Sequence, residues 1–177
     1  DSGQPLGPHY ERVVAGYCAV TWPAMAGLAV AAEPLTLLLY GENWRGAIDL
    51  VFWVAVSQMC FVALPLHMEL PMLTGKIGAL VKINLVDTAI ALLFLAIASL
   101  DGLHGVAVSR LAYGLAWIAL YAGFLQRLIG FDWARMLAIY GRTMLATGAA
   151  VAPMLLAYRF WRAPADLGFD GLVLTAG

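Results

Sequence analysis

Five long apolar runs, each closed by a short junction bearing charges, glycine or proline, constrain this chain more than any other feature of its sequence. They fall at about 13–40, 47–66, 77–100, 106–125 and 136–158, and each reaches the ~20 residues that a helix needs to cross ~30 Å of hydrocarbon. Of the 177 residues 63% are apolar and 12% charged, against roughly 45–50% and 25% in an average soluble domain. A soluble fold could not cover that much apolar surface with so few charges, whereas lipid removes the need to cover it. The expected fold is all-α, a polytopic transmembrane helical bundle of about five spans. A truncated sixth begins at Gly171–Ala176, where the chain stops, and residues 1–177 are accordingly read as a piece of a larger protein.

The junctions shape the bundle. Residues 1–12 read as a loop or the tail of an earlier element, and Gly41–Arg45 as a tight polar turn. The stretch His67–Lys76, with Pro71 and Gly75, reads as a loop or broken helix. Asp101 and Gly102 turn the chain, and Gln126–Arg135 is a polar junction. Connections this short force antiparallel neighbours, and Gly27, Gly114, Gly123, Gly141 and Gly148 let helices approach closely. Arg12, Lys76, Lys82, Arg127, Arg135 and Arg142 collect on one side, and Arg45, Arg110, Arg159 and Arg162 on the other. The richer first side is expected to be cytoplasmic. Trp22, Trp44, Trp53, Trp117, Trp133 and Trp161 are expected mostly near span ends, as an aromatic belt.

A net charge of -1 offers no basic field for nucleic acid, which is excluded as a partner. Cys18 and Cys60 sit singly inside apolar runs, neither at metal-ligand spacing nor as a disulfide framework, and read as lipid-facing or packed thiols. The sequence has no phosphate-binding Gly-x-x-x-x-Gly-Lys-Ser/Thr, no His-Glu-x-x-His and no Gly-x-Ser-x-Gly. No enzyme, metal or cofactor is expected.

One segment carries a resemblance. The run Ala32-Glu33-Pro34-Leu35, followed by Tyr40-Gly41-Glu42-Asn43-Trp44 and Ala47, resembles a late-helix junction of bacterial polysaccharide and oligosaccharide flippases in the multidrug/oligosaccharidyl-lipid/polysaccharide exporter superfamily. Gly102-Leu103-His104-Gly105-Val106-Ala107 is similar to that family's approach to the following helix, and Met72-Leu73-Thr74-Gly75-Lys76 to its linker. The resemblance implies that these spans are about the ninth to thirteenth of some fourteen, with the N-terminal half absent. It implies a multi-pass protein of the bacterial inner membrane that moves undecaprenyl-diphosphate-linked oligosaccharides by alternating access, without ATP. Two alternatives stand beside it: a cation-coupled exporter of drugs or other small molecules, and a non-transporting scaffold subunit of a polysaccharide assembly complex.

Ionisable groups at membrane depth cost about 2.5–3.5 kcal/mol each at a helix centre, so each needs a partner, water or a task. Asp87, with Asn84 and Thr88 on a common face, reads either as lining a watery cavity or as a hydrogen-bonded pair within the bundle. Lys82 and Lys76 read as diphosphate-binding cations under the resemblance, or as lysines that snorkel to the interface. Arg110, with Tyr113 and Trp117 at helical spacing, reads as a sugar- and anion-binding stripe or as an interfacial anchor. Glu33, beside Pro34, reads as a proton-coupling group or a plain interfacial carboxylate. His67 and Glu69 read as a loop or a gate, and Thr143 and Thr147, behind Arg142, as packing residues bonded to their own helix. The candidates are thus Lys82, Asn84, Asp87, Arg110 and Tyr113 for a substrate path, and Glu33, Glu69 and Lys76 for a gate or coupling site.

Overall fold

The computed structural model describes residues 6–168, with side chains as far as residue 160. Those residues form helices α1 (Leu6–Val30), α2 (Ala32–Tyr40), α3 (Ile48–Phe61), α4 (Glu69–Leu73), α5 (Ile77–Ala98), α6 (Gly102–Ile129) and α7 (Trp133–Gly168), and no strand. Short 3-10 turns cover Glu42–Ala47 and Ser99–Asp101. The apolar stretch at 171–176, expected to open a sixth span, lies outside the described residues. Three helical stretches, Leu6–Val30, Ile77–Ile129 and Trp133–Phe160, are long and apolar enough to cross a membrane.

The helix limits depart from the expected ones for local reasons. α1 starts at Leu6 rather than near Val13, because the polar residues of its first turns find partners: Glu11 accepts the Asp132 backbone N–H at 3.0 Å. α1 and α2 almost form one helix, since Ala31 N donates to Gly27 O and Leu35 N to Ala31 O. The break at Ala31 comes three residues before Pro34, which has no N–H to offer the Val30 carbonyl. α6 and α7 run into the polar junction from both sides. α6 ends at Gly130 in the left-handed conformation, and the Asp132 carboxylate caps α7 by accepting the Ala134 N–H at 2.8 Å.

The second apolar run does not stay helical to Leu66. α3 ends at Phe61, four residues before Pro65, where the proline ring would strike the Phe61 carbonyl and has no hydrogen to give it. The carbonyls released there are collected by side chains of two other helices. Trp22 Nε1 of α1 donates to Met59 O at 3.0 Å, Tyr140 Oη of α7 to Ala63 O at 2.9 Å, and the Cys18 thiol lies 3.9 Å from Val62 O. His67 Nδ1 lies 3.1 Å from Leu64 O. Buried backbone carbonyls are costly unless paired, and α1 and α7 supply the partners here.

The helices lie side by side in the order α5, α6, α3, α1, α7. α1 and α7 run in the same direction: Glu11 meets Asp132 and Arg135 at one end, and Glu33 meets Tyr158 at the other. The core follows the helical period. Tyr10, Val14, Cys18 and Trp22 of α1 share one buried cluster with Trp117, Tyr121 and Leu125 of α6 and with Leu64, Phe131 and Met136. Trp22 and Trp117 are therefore core residues, 6% and 5% exposed, rather than belt residues, whereas Trp44 and Trp133 are exposed near helix ends. Cys18 and Cys60 are both buried thiols. α5 buries only Leu80 and Ala98.

Two close approaches set the spacing around the α5–α6 hairpin and α3. At Gly105, an added Cβ would lie 2.7 Å from Ala98 O and 2.5 Å from Asp101 Cβ, so the Gly102-x-x-Gly105 pair closes the hairpin, Gly102 supplying the positive φ. At Gly114, an added Cβ would lie 2.8 Å from Cys60 Cβ, which is how α3 seats against α6. Gly114→Ala should therefore lower stability in detergent by about 1–3 kcal/mol. Gly123→Ala, inside α6 where the new methyl meets nothing within 4 Å, should instead raise it by about 0.4–1 kcal/mol, the advantage of alanine over glycine within a helix; thermal unfolding of both variants checks the contrast.

Candidate functional site

Asp87 stands ten residues after Ile77, ~15 Å along α5, and faces α6. Tyr113 Oη donates to Asp87 Oδ1 at 2.9 Å, and Tyr121 Oη donates to Asn84 Oδ1 while lying 3.5 Å from Asp87 Oδ2. A phenol has one proton, so Tyr121 serves Asn84 and leaves Asp87 one firm hydrogen bond, from Tyr113. A carboxylate offers about four acceptor sites, and Asp87 retains acceptor capacity in the middle of an apolar helix.

Aromatic rings enclose this pair. Trp117 packs 4.9 Å from Tyr121, and the His67 ring stands edge-on to both, at 4.9 and 5.2 Å between centroids. Phe61 touches Tyr113 and Trp117, each at 5.5 Å. Arg110 lies one turn from Tyr113, with Cζ 5.3 Å over the Phe61 ring, a cation–π placement. Its Nε is buried without a hydrogen-bond partner. Beside it a cleft of about 220 Å³, lined by Leu92, Phe94, Arg110 and Tyr113 among others, adjoins an apolar groove of about 580 Å³ that shares Phe94 and Ser109 with it.

Four of the five path candidates, Asn84, Asp87, Arg110 and Tyr113, thus come together between α5 and α6. Lys82 does not join them: it is exposed, and two residues before Asn84 it points about 200° round the helix from it. Lys76 is exposed just before α5, and Glu69 is exposed at the start of α4. Glu33 belongs to another cluster, accepting from Tyr158 Oη and lying 3.7 Å from Arg45 Nη1. Arg45 also donates to Glu42, and that hydrogen bond raises its pKa above the ordinary value.

Tyr121 and Glu11 were not foreseen as site residues. Tyr121 continues the stripe Tyr113, Trp117 by one further step of four, so the helical period contained that signal. Glu11 is 7% exposed and lies 3.7 Å from Arg135; its partners are more than a hundred residues away, and no local pattern marks it. Among the described residues, no group of three or more His, Cys, Asp or Glu side chains is placed to hold a metal ion.

The fold and the polar site define a class, an all-helical membrane protein with a polar cluster at membrane depth. A family model described as "polysaccharide biosynthesis protein" matches residues 1–49. That stretch holds α1, α2 and the junction Ala32–Ala47, and it ends before the Met72–Lys76 and Gly102–Ala107 segments. No curated protein and no solved structure matches the chain.

Removing one partner of the Asp87 pair strands the other, at about 1–3 kcal/mol, whereas replacing both with apolar groups is near neutral. Tyr113→Phe should therefore destabilise the protein in that range, and Asp87→Leu/Tyr113→Phe should recover most of the loss. Unfolding of wild type, both single variants and the double variant in one detergent measures the coupling.

Proposed function

We propose that this chain forms part of a transporter that carries lipid-linked oligosaccharide precursors across the bacterial inner membrane for cell-surface polysaccharide synthesis. The observation that carries the reading is the Asp87 cluster: a half-buried carboxylate and its carboxamide neighbour face two tyrosines at the middle of α5, with spare acceptor capacity and an arginine one turn away. Sugar hydroxyls are donors that such acceptors bind, and the half-buried Tyr113 ring borders the cleft beside them. A diphosphate needs a cation, and the Arg110 guanidinium has a donor in hand.

The cargo is amphiphilic, and the surroundings are too. The apolar groove along Leu93, Ile97 and Val108 adjoins the Arg110 cleft through Phe94 and Ser109, which offers a lipid tail a surface beside the polar cluster. The polysaccharide-biosynthesis match over residues 1–49 and the flippase-like junction inside it support the same cargo class. The reading makes and breaks no covalent bond and calls for no cofactor. The partners it implies are an undecaprenyl-diphosphate-linked oligosaccharide, membrane lipid and the remaining helices of the transporter.

Deleting the complete gene should deplete surface polysaccharide while undecaprenyl-diphosphate-linked oligosaccharide accumulates in membrane extracts. Complementation with Asp87→Ala should restore only a small part of the surface polymer. A deletion strain that makes no lipid-linked unit at all would point to synthesis rather than transport, and one with normal surface polymer would remove the role altogether.

A further inference from the structure

We infer that the cleft between α1 and α7 binds the phosphate of an anionic lipid headgroup, through Arg12 and Arg142 with Arg135 at its rim. The cleft has a volume of about 360 Å³ and is lined by Glu11, Arg12 and Ala15 of α1 and by Arg135, Ala138 and Arg142 of α7, among others. On each helix these positions share one face by the period of 3.6, and the alanines leave the hollow into which the arginines lean.

The charges inside the cleft do not cancel. Glu11, its one carboxylate, already has its partners: Oε1 accepts the Asp132 N–H at 3.0 Å, near the positive end of α7, and Oε2 lies 3.7 Å from Arg135 Nη1. Arg135 is shared further with Asp132, again at 3.7 Å. Among the described residues, Arg12 and Arg142 have neither an ion pair nor a hydrogen bond to a carboxylate. Two guanidinium groups therefore face one concavity with their charge uncompensated.

Their setting sharpens the point. Arg12 stands at the edge of the apolar run that opens near residue 13, and Arg142 nine residues into α7, ~13 Å along it; both are exposed. A charge at the edge of an apolar run or inside one needs an anion, water or an escape to the interface. Two arginines that merely snorkel have no reason to converge from different helices on one cleft. A phosphate group satisfies both, because each planar guanidinium offers paired N–H donors to its oxygens, and basic clefts between membrane helices suit anionic headgroups for that reason. The inference rests on the membrane placement of α1 and α7 and is independent of any transported cargo.

The test uses the full chain purified in detergent, offered equal amounts of phosphatidylglycerol and phosphatidylcholine, with retained lipid read by native mass spectrometry. Phosphatidylglycerol should be retained about tenfold over phosphatidylcholine, and R12Q/R142Q should lose that preference while keeping wild-type helical content. R12K/R142K keeps both charges without the planar fork, and its retention should fall between the two; this variant decides the matter if the glutamine variant fails to fold. Equal retention of the two lipids by wild type, or wild-type preference in a folded R12Q/R142Q, overturns the site. Displacement of bound lipid by millimolar inorganic phosphate would show a soluble-anion site and overturn the lipid assignment; resistance to it supports that assignment.

Discussion

A carboxylate halfway along an apolar helix has to find its hydrogen bonds within reach of that helix, and Asp87 finds them on α6. The pairing with Tyr113, backed by Tyr121 on Asn84, fixes the register of α5 against α6. α5 buries only Leu80 and Ala98, so few apolar contacts hold it in place. A helix–helix hydrogen bond in a membrane contributes only about 0.6–2 kcal/mol; the larger consequence is the penalty for losing register, which leaves a charge and a carboxamide unsatisfied in hydrocarbon.

The early end of α3 is the second dependency, and it connects the packing to the site. Had α3 continued to Leu66, His67 could not fold back onto Trp117 and Tyr121, and the aromatic wall around Asn84 and Asp87 would be open on that side. The break frees backbone carbonyls, and Trp22, Tyr140 and Cys18 cover them from α1 and α7. Those two helices do not touch Asp87, yet they hold the loop that closes around it. The loop also carries Leu66 at φ 60, a conformation that costs a residue with a side chain about 1–2 kcal/mol.

The all-helical architecture was legible from run length and composition, because lipid leaves a spanning segment few alternatives. Turns were legible wherever glycine marked them: Gly41, Gly75 and Gly102 all adopt positive φ. Helix ends were less so. Pro65 marked the end of α3 only through its clash four residues upstream, and the helicity of residues 6–12 depended on the distant backbone of Asp132. The coming together of Asn84, Asp87, Arg110 and Tyr113 was readable in part because a charge inside an apolar run is costly and conspicuous. Lys82 stood out by the same rule and faces away from the cluster, since a single charge reveals cost but not which neighbour lies opposite. Tyr121 stayed hidden because tyrosine is at home in an apolar helix and shows its polarity only when a partner appears.

The proposed function requires that the α5–α6 polar cluster line a route open to water within the membrane. Asn84→Cys, in a chain whose Cys18 and Cys60 are replaced by alanine, tests this in intact membranes with a small, charged thiol reagent. Labelling at position 84 before solubilisation, slowed by added lipid-linked oligosaccharide, is the expected result. A thiol that stays unreactive in the membrane and reacts only after detergent unfolding would rule out such a route and leave Asp87 and Tyr113 a purely structural pair.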